Sequence, residues 1–388
     1  MNLKAHFSRF LAADPKRAHF TAHSHHLWPD VTLAAQQRCW EDAARLADRK
    51  WELVFGELIP SLQRKIADII GVDDPDGIAF GPNTHGFVTR LLSCLPAGRP
   101  IRVLTTDSEF HSFTRQIARL EEEGLAVVER VPARPFGTFT LRFAEAAAAG
   151  GHDLVFFSQV FYNSGYVVRD LPAIVRVVPD PATLVAIDGY HGFFGVPTDL
   201  SRIAERAFYL AGGYKYAMAG EGACFLYAPT GQCPRPRDTG WRAAFPALER
   251  ADGGVPFAAD GSRFLGATFD PVGLYRMHAV IDLLRTEGLS VADIRAHGHK
   301  LQRRFVAGLE RLKLPALDPA RLLVPIAEPN RGQFLTFEMA EAGAVYERLL
   351  AANIVTDYRG DRLRFGFGLY QDAGDVDRLL ERLPAVLG

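Results

Sequence analysis

Apolar residues recur along this chain with two periods. Between residues 101 and 228 they form short runs of strand length: Ile101–Thr105, Ala126–Val131, Leu154–Val160, Leu184–Asp188, Arg206–Ala211 and Ala223–Ala228. Segments with helical spacing separate several of these runs, among them Ser112–Glu123 and Leu171–Val178. Apolar strands alternating with helices predict an α/β fold with a mostly parallel sheet covered on both faces. Upstream, helical spacing runs from Thr32 to about Leu53 and from about Leu58 to Ile70. Residues 77–86 then read as a short strand running into a turn, and helical spacing continues over Phe87–Cys94.

Downstream, Pro229–Gly261 is rich in Pro, Gly and Asp and reads as a long loop. A helix from Pro271 to Thr286 is expected to leave the large domain. It is followed by a helix (Val291–Leu312), a strand (Gln333–Glu338), a helix (Ala342–Ala352), a strand (Leu363–Phe367) and a terminal helix (Asp372–Leu387). The expected organisation is an N-terminal arm (1–30), a large domain (31–275) and a small C-terminal α/β domain (276–388). No internal repeat is visible, and an Ala-rich run at 144–149 is the one low-complexity stretch.

Composition narrows the function. The chain has 388 residues, a net charge of −1 and interspersed acids and bases, which points away from nucleic-acid or membrane surfaces. No apolar run is long enough to cross a bilayer, and the N-terminus lacks the apolar core of a signal peptide, so a cytoplasmic location is expected. Cys39, Cys94, Cys224 and Cys233 form no CxxC or zinc spacing and read as buried free thiols. His19, His23, His25 and His26 cluster like a metal tract, but no carboxylate or cysteine accompanies them. A substrate-facing loop is expected there, with no metal.

The candidate chemistry lies around Lys215, one of seven lysines, in Ala-Gly-Gly-Tyr-Lys-Tyr-Ala-Met-Ala-Gly-Glu-Gly (211–222). Upstream, Asp188 ends an apolar run and His191 follows three residues later. A lysine able to form a Schiff base, with an aspartate able to meet a pyridinium nitrogen, is what pyridoxal phosphate chemistry requires. Ligands in such sheets bind beyond the carboxyl ends of the strands, where Asp188 and Lys215 can meet. In Gly81-Pro82-Asn83-Thr84-His85-Gly86, free amides at a helix start and the Thr84 hydroxyl suit a phosphate. In Ser108-Glu109-Phe110-His111, His111 is the candidate ring to stack on the cofactor. Arg364 can fork onto a substrate carboxylate. Tyr214, beside the lysine, is a candidate general acid or base whose pKa would need lowering.

Taken in order, these segments resemble the class V, fold type I pyridoxal phosphate enzymes, most closely the kynureninases. Tyr214-Lys215-Tyr216 with Gly220-Glu221-Gly222 resembles their lysine box, and Asp188-x-x-His191 their Asp-x-x-His. Ser158-Gln159-Val160-Phe161-Tyr162-Asn163-Ser164-Gly165, Gly240-Trp241, Arg263-Phe264 with Gly266-x-Thr268, and Leu363-Arg364-Phe365-Gly366-Phe367 with Leu369-Tyr370 are similar to further motifs. The resemblance implies a large domain with a seven-stranded type of sheet, pyridoxal 5′-phosphate as cofactor, and an amino acid substrate. It also implies a homodimer in which Thr268 reaches the other subunit's cofactor phosphate. His85 and Trp241 are expected at the cofactor, and Tyr162, Asn163 and His25 at the substrate. The implied reaction is hydrolytic Cβ–Cγ cleavage of an aryl-ketone amino acid. The alternatives are an aminotransferase or β-lyase on the same scaffold, or a non-enzymatic protein keeping the fold. Cysteine desulfurase is disfavoured because no cysteine follows Cys233. Four departures fall in or near the expected pocket: Asn163 for an arginine, Arg-Ala-Ala-Phe after Trp241, His23-Ser24-His25-His26-Leu27 for an early Asn-Ser loop, and Phe269 for a proline.

Overall fold

The computed structural model describes residues 3–247 and 254–388. Its strands are β1 (Ala18–His19), β2 (Ile78–Gly81), β3 (Ile101–Thr106), β4 (Ala126–Val131), β5 (Leu154–Ser158), β6 (Leu184–Asp188), β7 (Ala207–Gly212), β8 (Cys224–Tyr227), β9 (Phe334–Glu338), β10 (Ile354–Val355), β11 (Asp357–Arg359) and β12 (Arg362–Gly366). Seven of them make one sheet in the order β2-β8-β7-β6-β5-β3-β4. Strands β7, β6, β5, β3 and β4 run parallel, and β8 runs antiparallel to both of its neighbours. Every residue of β5, β7 and β8 is buried, as expected where helices cover both faces of a sheet. The expected fold class is therefore observed: a fold type I architecture with a smaller β11-β12-β9 sheet near the C-terminus.

The two sheets have separate cores. The larger takes Val155, Ile187, Phe225, Leu274 and Leu284, and the smaller takes Phe305, Phe337, Leu363 and Leu379. The helix Val272–Thr286 packs on Val31–Leu46 and buries its side chains in the larger core, so it does not leave the large domain as its sequence suggested. The change-over falls inside the helix Val291–Leu312, where Ile294 joins the larger core and Leu301 the smaller. The arm links the two: Phe7, Ala22 and Leu27 enter the larger core, Phe20 the smaller, and β1 pairs with β10.

The cysteine expectation needs correction. Cys94 and Cys233 are joined in a disulfide, and only Cys39 and Cys224 are free thiols. The partners lie 139 residues apart, at a helix end and in the long loop, a proximity no local spacing could reveal. Among the described residues, no helix is long and apolar enough to cross a membrane.

Candidate active site

Sheet topology brings the chemistry to one rim. The parallel strands β3, β5, β6 and β7 all end there, and each is followed by, or closes on, a polar residue. Asp188 is the last residue of β6 and Ser158 the last of β5, paired in register. Glu109 and Phe110 follow β3, Lys215 follows β7, and Asn83 follows β2 at the start of the helix Thr84–Cys94. A cavity of about 200 Å³ opens between them, walled by Asn83, Thr84, Phe110, Asp188, Tyr190 and Lys215 among others.

Two glycines make the close packing at this rim necessary rather than incidental. A Cβ at Gly189 would overlap the Tyr209 ring, and one at Gly212 would overlap Cys224 and Tyr190. Tyr209 donates its hydroxyl to Gln159 at 2.9 Å, locking the strand beside Asp188.

Lys215 is buried, and its amine lies 2.7 Å from His191 Nε2 and 4.5 Å from the centre of the Tyr190 ring. Burial pushes its pKa down to about 7, while Asp188 opposes that shift. His191 is held well below its ordinary range, first by burial and then by Lys215. With the lysine donating to Nε2, the ring proton sits on Nδ1, a buried atom without a partner. The Asp188 carboxylate accepts from the Tyr190 amide at 2.9 Å, and burial raises its pKa. A buried amine that titrates near neutrality and an end-of-strand carboxylate with spare acceptor sites thus face one cavity.

The helix start supplies anion donors. The Asn83 side chain caps the helix by accepting from the Gly86 amide at 2.9 Å, and the buried Thr84 lines the cavity with His85. These groups fit pyridoxal phosphate: an imine-forming amine, a carboxylate for a pyridinium, and helix-start donors for a phosphate.

Other expected residues are placed less simply. Phe110, not His111, is the ring at the cavity, 5.5 Å from the Lys215 amine; His111 is exposed and packs edge-on to Tyr162. The reason is one residue of register, since the helix begins at His111 and turns that side chain outward. Tyr214 also needs correction. Burial raises its pKa to about 12, where a base would require the opposite shift. His25 stacks on Tyr214 at 5.0 Å and meets Glu221 at 3.6 Å, but its side chain is 65% exposed at the rim. Tyr162 lines the cavity; Asn163 does not, because its amide is drawn to the Ser108 hydroxyl at 3.2 Å. Arg364 is buried, paired with Asp357 at 2.5 Å and with the Tyr162 carbonyl. Thr268 is exposed and Trp241 is 39% exposed, and neither lines this chain's cavity.

The histidine tract is dispersed. His19 meets Tyr370, His26 meets the Leu27 carbonyl, and His23 stacks on Phe334. No cluster among the described residues is arranged to hold a metal ion.

Sequence reasoning missed Glu109. It is buried and accepts from Thr106 at 2.7 Å and from the Ser158 hydroxyl at 2.5 Å; burial pushes its pKa up to about 7. Nothing in its local sequence separates it from a surface glutamate.

Comparison with known proteins agrees with this geometry. The model of the aminotransferase class-V family matches residues 43–379. A kynureninase from Deinococcus radiodurans is 26% identical over 328 residues, covering 83% of this chain and 77% of that protein. A kynureninase from Burkholderia mallei is 31% identical over 242 residues; the match spans 59% of this chain and 55% of that relative. Among solved structures, a variant of the lyase C-DES with glycine covalently linked to its PLP cofactor superposes with a TM-score of 0.84. It has 21% identity and full coverage of both chains. A cysteine desulfurase from Thermococcus onnurineus NA1 gives a TM-score of 0.78 at 18% identity, covering 96% of this chain and 95% of that one. With the family model running through both the lysine box and the Arg364 strand, the chain belongs to the class V aminotransferase family and is a pyridoxal phosphate-dependent enzyme.

Proposed function

We propose that this enzyme is kynureninase-like and hydrolyses the Cβ–Cγ bond of an amino acid whose side chain is a neutral aryl ketone. One observation carries the substrate class. Phe110, Tyr162, Tyr190 and Tyr214 line the cavity, Lys215 is its one lysine or arginine, and its carboxylates are Asp188 and Glu221. Aromatic walls favour an aromatic side chain. With Arg364 committed to the α-carboxylate, a side-chain carboxylate, as a dicarboxylic amino acid would bring, meets Asp188 and Glu221 and no further strong cation. The kynureninase relatives support the same reading.

Pyridoxal phosphate, when bound, supplies an electron sink for the bonds around the substrate Cα. Lys215 is the residue to hold it covalently, Asp188 to meet its ring nitrogen, Asn83, Thr84 and His85 to meet its phosphate, and Phe110 to cover its ring. His191 orients the lysine amine. Arg364 holds the α-carboxylate. Lys215 Nζ, with a proton affinity near neutrality, takes the Cα proton and returns it. Tyr214 keeps its hydroxyl proton at neutral pH and so acts as a donor toward the ketone oxygen, not as a base. His25 and Tyr162 flank the entry for the side chain, and Asn163, turned to the Ser108 hydroxyl, is left without a contact to the substrate. Trp241 and Thr268 are assigned to the cofactor of a second copy, in a homodimer. We keep the cytoplasm as the proposed location, where Cys94–Cys233 would face a reducing thiol pool.

The test is release of anthranilate and alanine from L-kynurenine by cofactor-loaded protein, with Lys215→Ala alongside. Turnover that vanishes in the variant is expected. No turnover, with cofactor absorbance that still depends on Lys215, would remove the kynureninase reading. Transamination or β-elimination on another amino acid would then take its place.

A further inference from the structure

Behind the cavity-lining Tyr162 and His191, the small sheet carries a group of buried polar atoms whose hydrogen bonds are incomplete. Arg364 and Thr336 are register partners on β12 and β9 and share one face with Phe334. Arg364 Nε and Thr336 Oγ1 have no partner. His23 lies on the same face, stacked on Phe334 with ring centres 4.7 Å apart; neither of its ring nitrogens has a hydrogen-bond partner, and Nε2 lies 3.9 Å from the Asp357 carboxylate. It is fully buried. Gly366 makes room for it, since a Cβ there would overlap His23 Nδ1. His191, on the Lys215 side, lies 5.3 Å from the same Phe334 ring.

The charges are arranged as a chain. One oxygen of Asp357 accepts from Arg364 Nη2 at 2.5 Å and the other from Arg359 Nη1 at 2.8 Å. Arg364 Nη1 is taken by the Tyr162 carbonyl. The Arg364 fork is therefore already engaged, and what remains unused around it is chiefly donor: Nε–H, a histidine N–H and a threonine hydroxyl. A carboxylate, which only accepts, matches that set.

We propose that Asp357 and His23 set how this enzyme takes a substrate carboxylate. Asp357 competes for Arg364 and stays on Arg359 when the carboxylate arrives, and His23 donates to the incoming group. The proposal rests on the reading that Arg364 receives the α-carboxylate, and it adds a competing residue and a second donor to that reading. Because Arg359 retains Asp357, displacing it from Arg364 leaves no buried charge without a partner. Arg359, Asp357, Arg364 and one carboxylate then sum to zero, so the subsite suits a single carboxylate.

The experiment is a thermal-shift titration of cofactor-loaded protein with propionate, a carboxylate without the amine. The parent is expected to gain stability with propionate. Asp357→Asn is expected to melt lower without propionate and to respond at roughly tenfold lower concentrations. His23→Phe, which keeps the stack on Phe334, is expected to need roughly fivefold more propionate at unchanged cofactor absorbance. Arg364→Met is expected to abolish the response. An Asp357→Asn midpoint no lower than the parent's, or a His23→Phe midpoint no higher, overturns the proposal alone. If Asp357→Asn does not fold, the His23→Phe midpoint decides. A response that survives in Arg364→Met sinks the underlying assignment of Arg364 together with the proposal, while the cofactor assignment of Lys215 stands.

Discussion

Burial acts in opposite senses on two titratable side chains that follow the strands at this rim. It lowers Lys215 to about 7 and raises Glu109 to about 7, in each case by disfavouring the charged form. For Glu109 the consequence is a pH-dependent stability. Its folded pKa lies above the unfolded one, so its stabilising contribution is full below about pH 4.5 and is lost as pH rises through about 7. Glu109→Gln keeps an acceptor for Thr106 and the Ser158 amide, while the Ser158 hydroxyl can turn to accept from the new amide. The variant is expected to gain on the parent by up to about 3 kcal/mol between pH 5 and pH 8. Urea denaturation across that range checks it; parallel pH curves for the two proteins would refute the buried-carboxyl reading. At this scale the sequence disclosed what local context marks. Lys215 is boxed by glycines and tyrosines, and Asp188 closes an apolar run. It did not disclose Glu109, Asp357 or His23, whose roles come from residues far along the chain: Ser158 for Glu109, Tyr162 for the Asp357–Arg364 pair, Phe334 for His23. Phe110 was missed for His111 because a one-residue shift of a helix start exchanges inward for outward.

Among the elements, the helix Thr84–Cys94 shows how one sequence feature serves two ends. Asn83 caps it through the Gly86 amide, and Thr84 and His85 of its first turn line the cavity. Asn83→Ala is expected to cost about 1 kcal/mol of stability. It is also expected to weaken cofactor retention, read by equilibrium dialysis of the loaded protein. A stability loss with unchanged retention would leave Asn83 a cap and nothing more. Strands were legible because buried parallel strands read as continuous apolar runs; β4 and β6 match their expected bounds, and the others differ by a residue or two at either end. The helix Phe139–Ala149 was hidden by its alanines, which read as low complexity although Phe139, Phe143 and Ala147 form a buried stripe. Strands β10 and β11 span two and three residues, too short for any alternation to register. Between Val31 and Ile70 two helical signals were expected with a break. The break instead falls at Ala47, whose φ is +49°, and from there the chain runs to Ile70 through short helical segments, with a π-helical stretch at Val54–Leu58.

At the scale of the molecule, the unplaced residues point outward. Arg242 lies among Trp51, Phe55, Trp241 and Phe245, 3.9 Å from the Phe55 ring centre and 4.3 Å from that of Trp241. Phe245 remains 54% exposed. Thr268 is exposed as well, and Gly266, two residues before it, packs against Gly240, so the two expected cofactor contacts sit on adjoining loops. An aromatic surface of this kind, carrying two residues proposed to meet a cofactor but not lining this chain's cavity, is what a second copy across a two-fold interface would cover. Complementation tests this without a structure of the dimer. Lys215→Ala lacks the covalent amine but carries an intact Thr268, and Thr268→Ala has the reverse. In a mixed dimer, one of the two sites combines Lys215 from one chain with Thr268 from the other and is complete. Equal amounts of the two variants, unfolded and refolded together, are expected to recover roughly a quarter of the parent's activity, since half the dimers are mixed and each has one complete site. Activity no higher than that of the separate variants would mean that each chain builds its site alone. Thr268 would then lose its cofactor role, and the aromatic face around Arg242 would need another occupant.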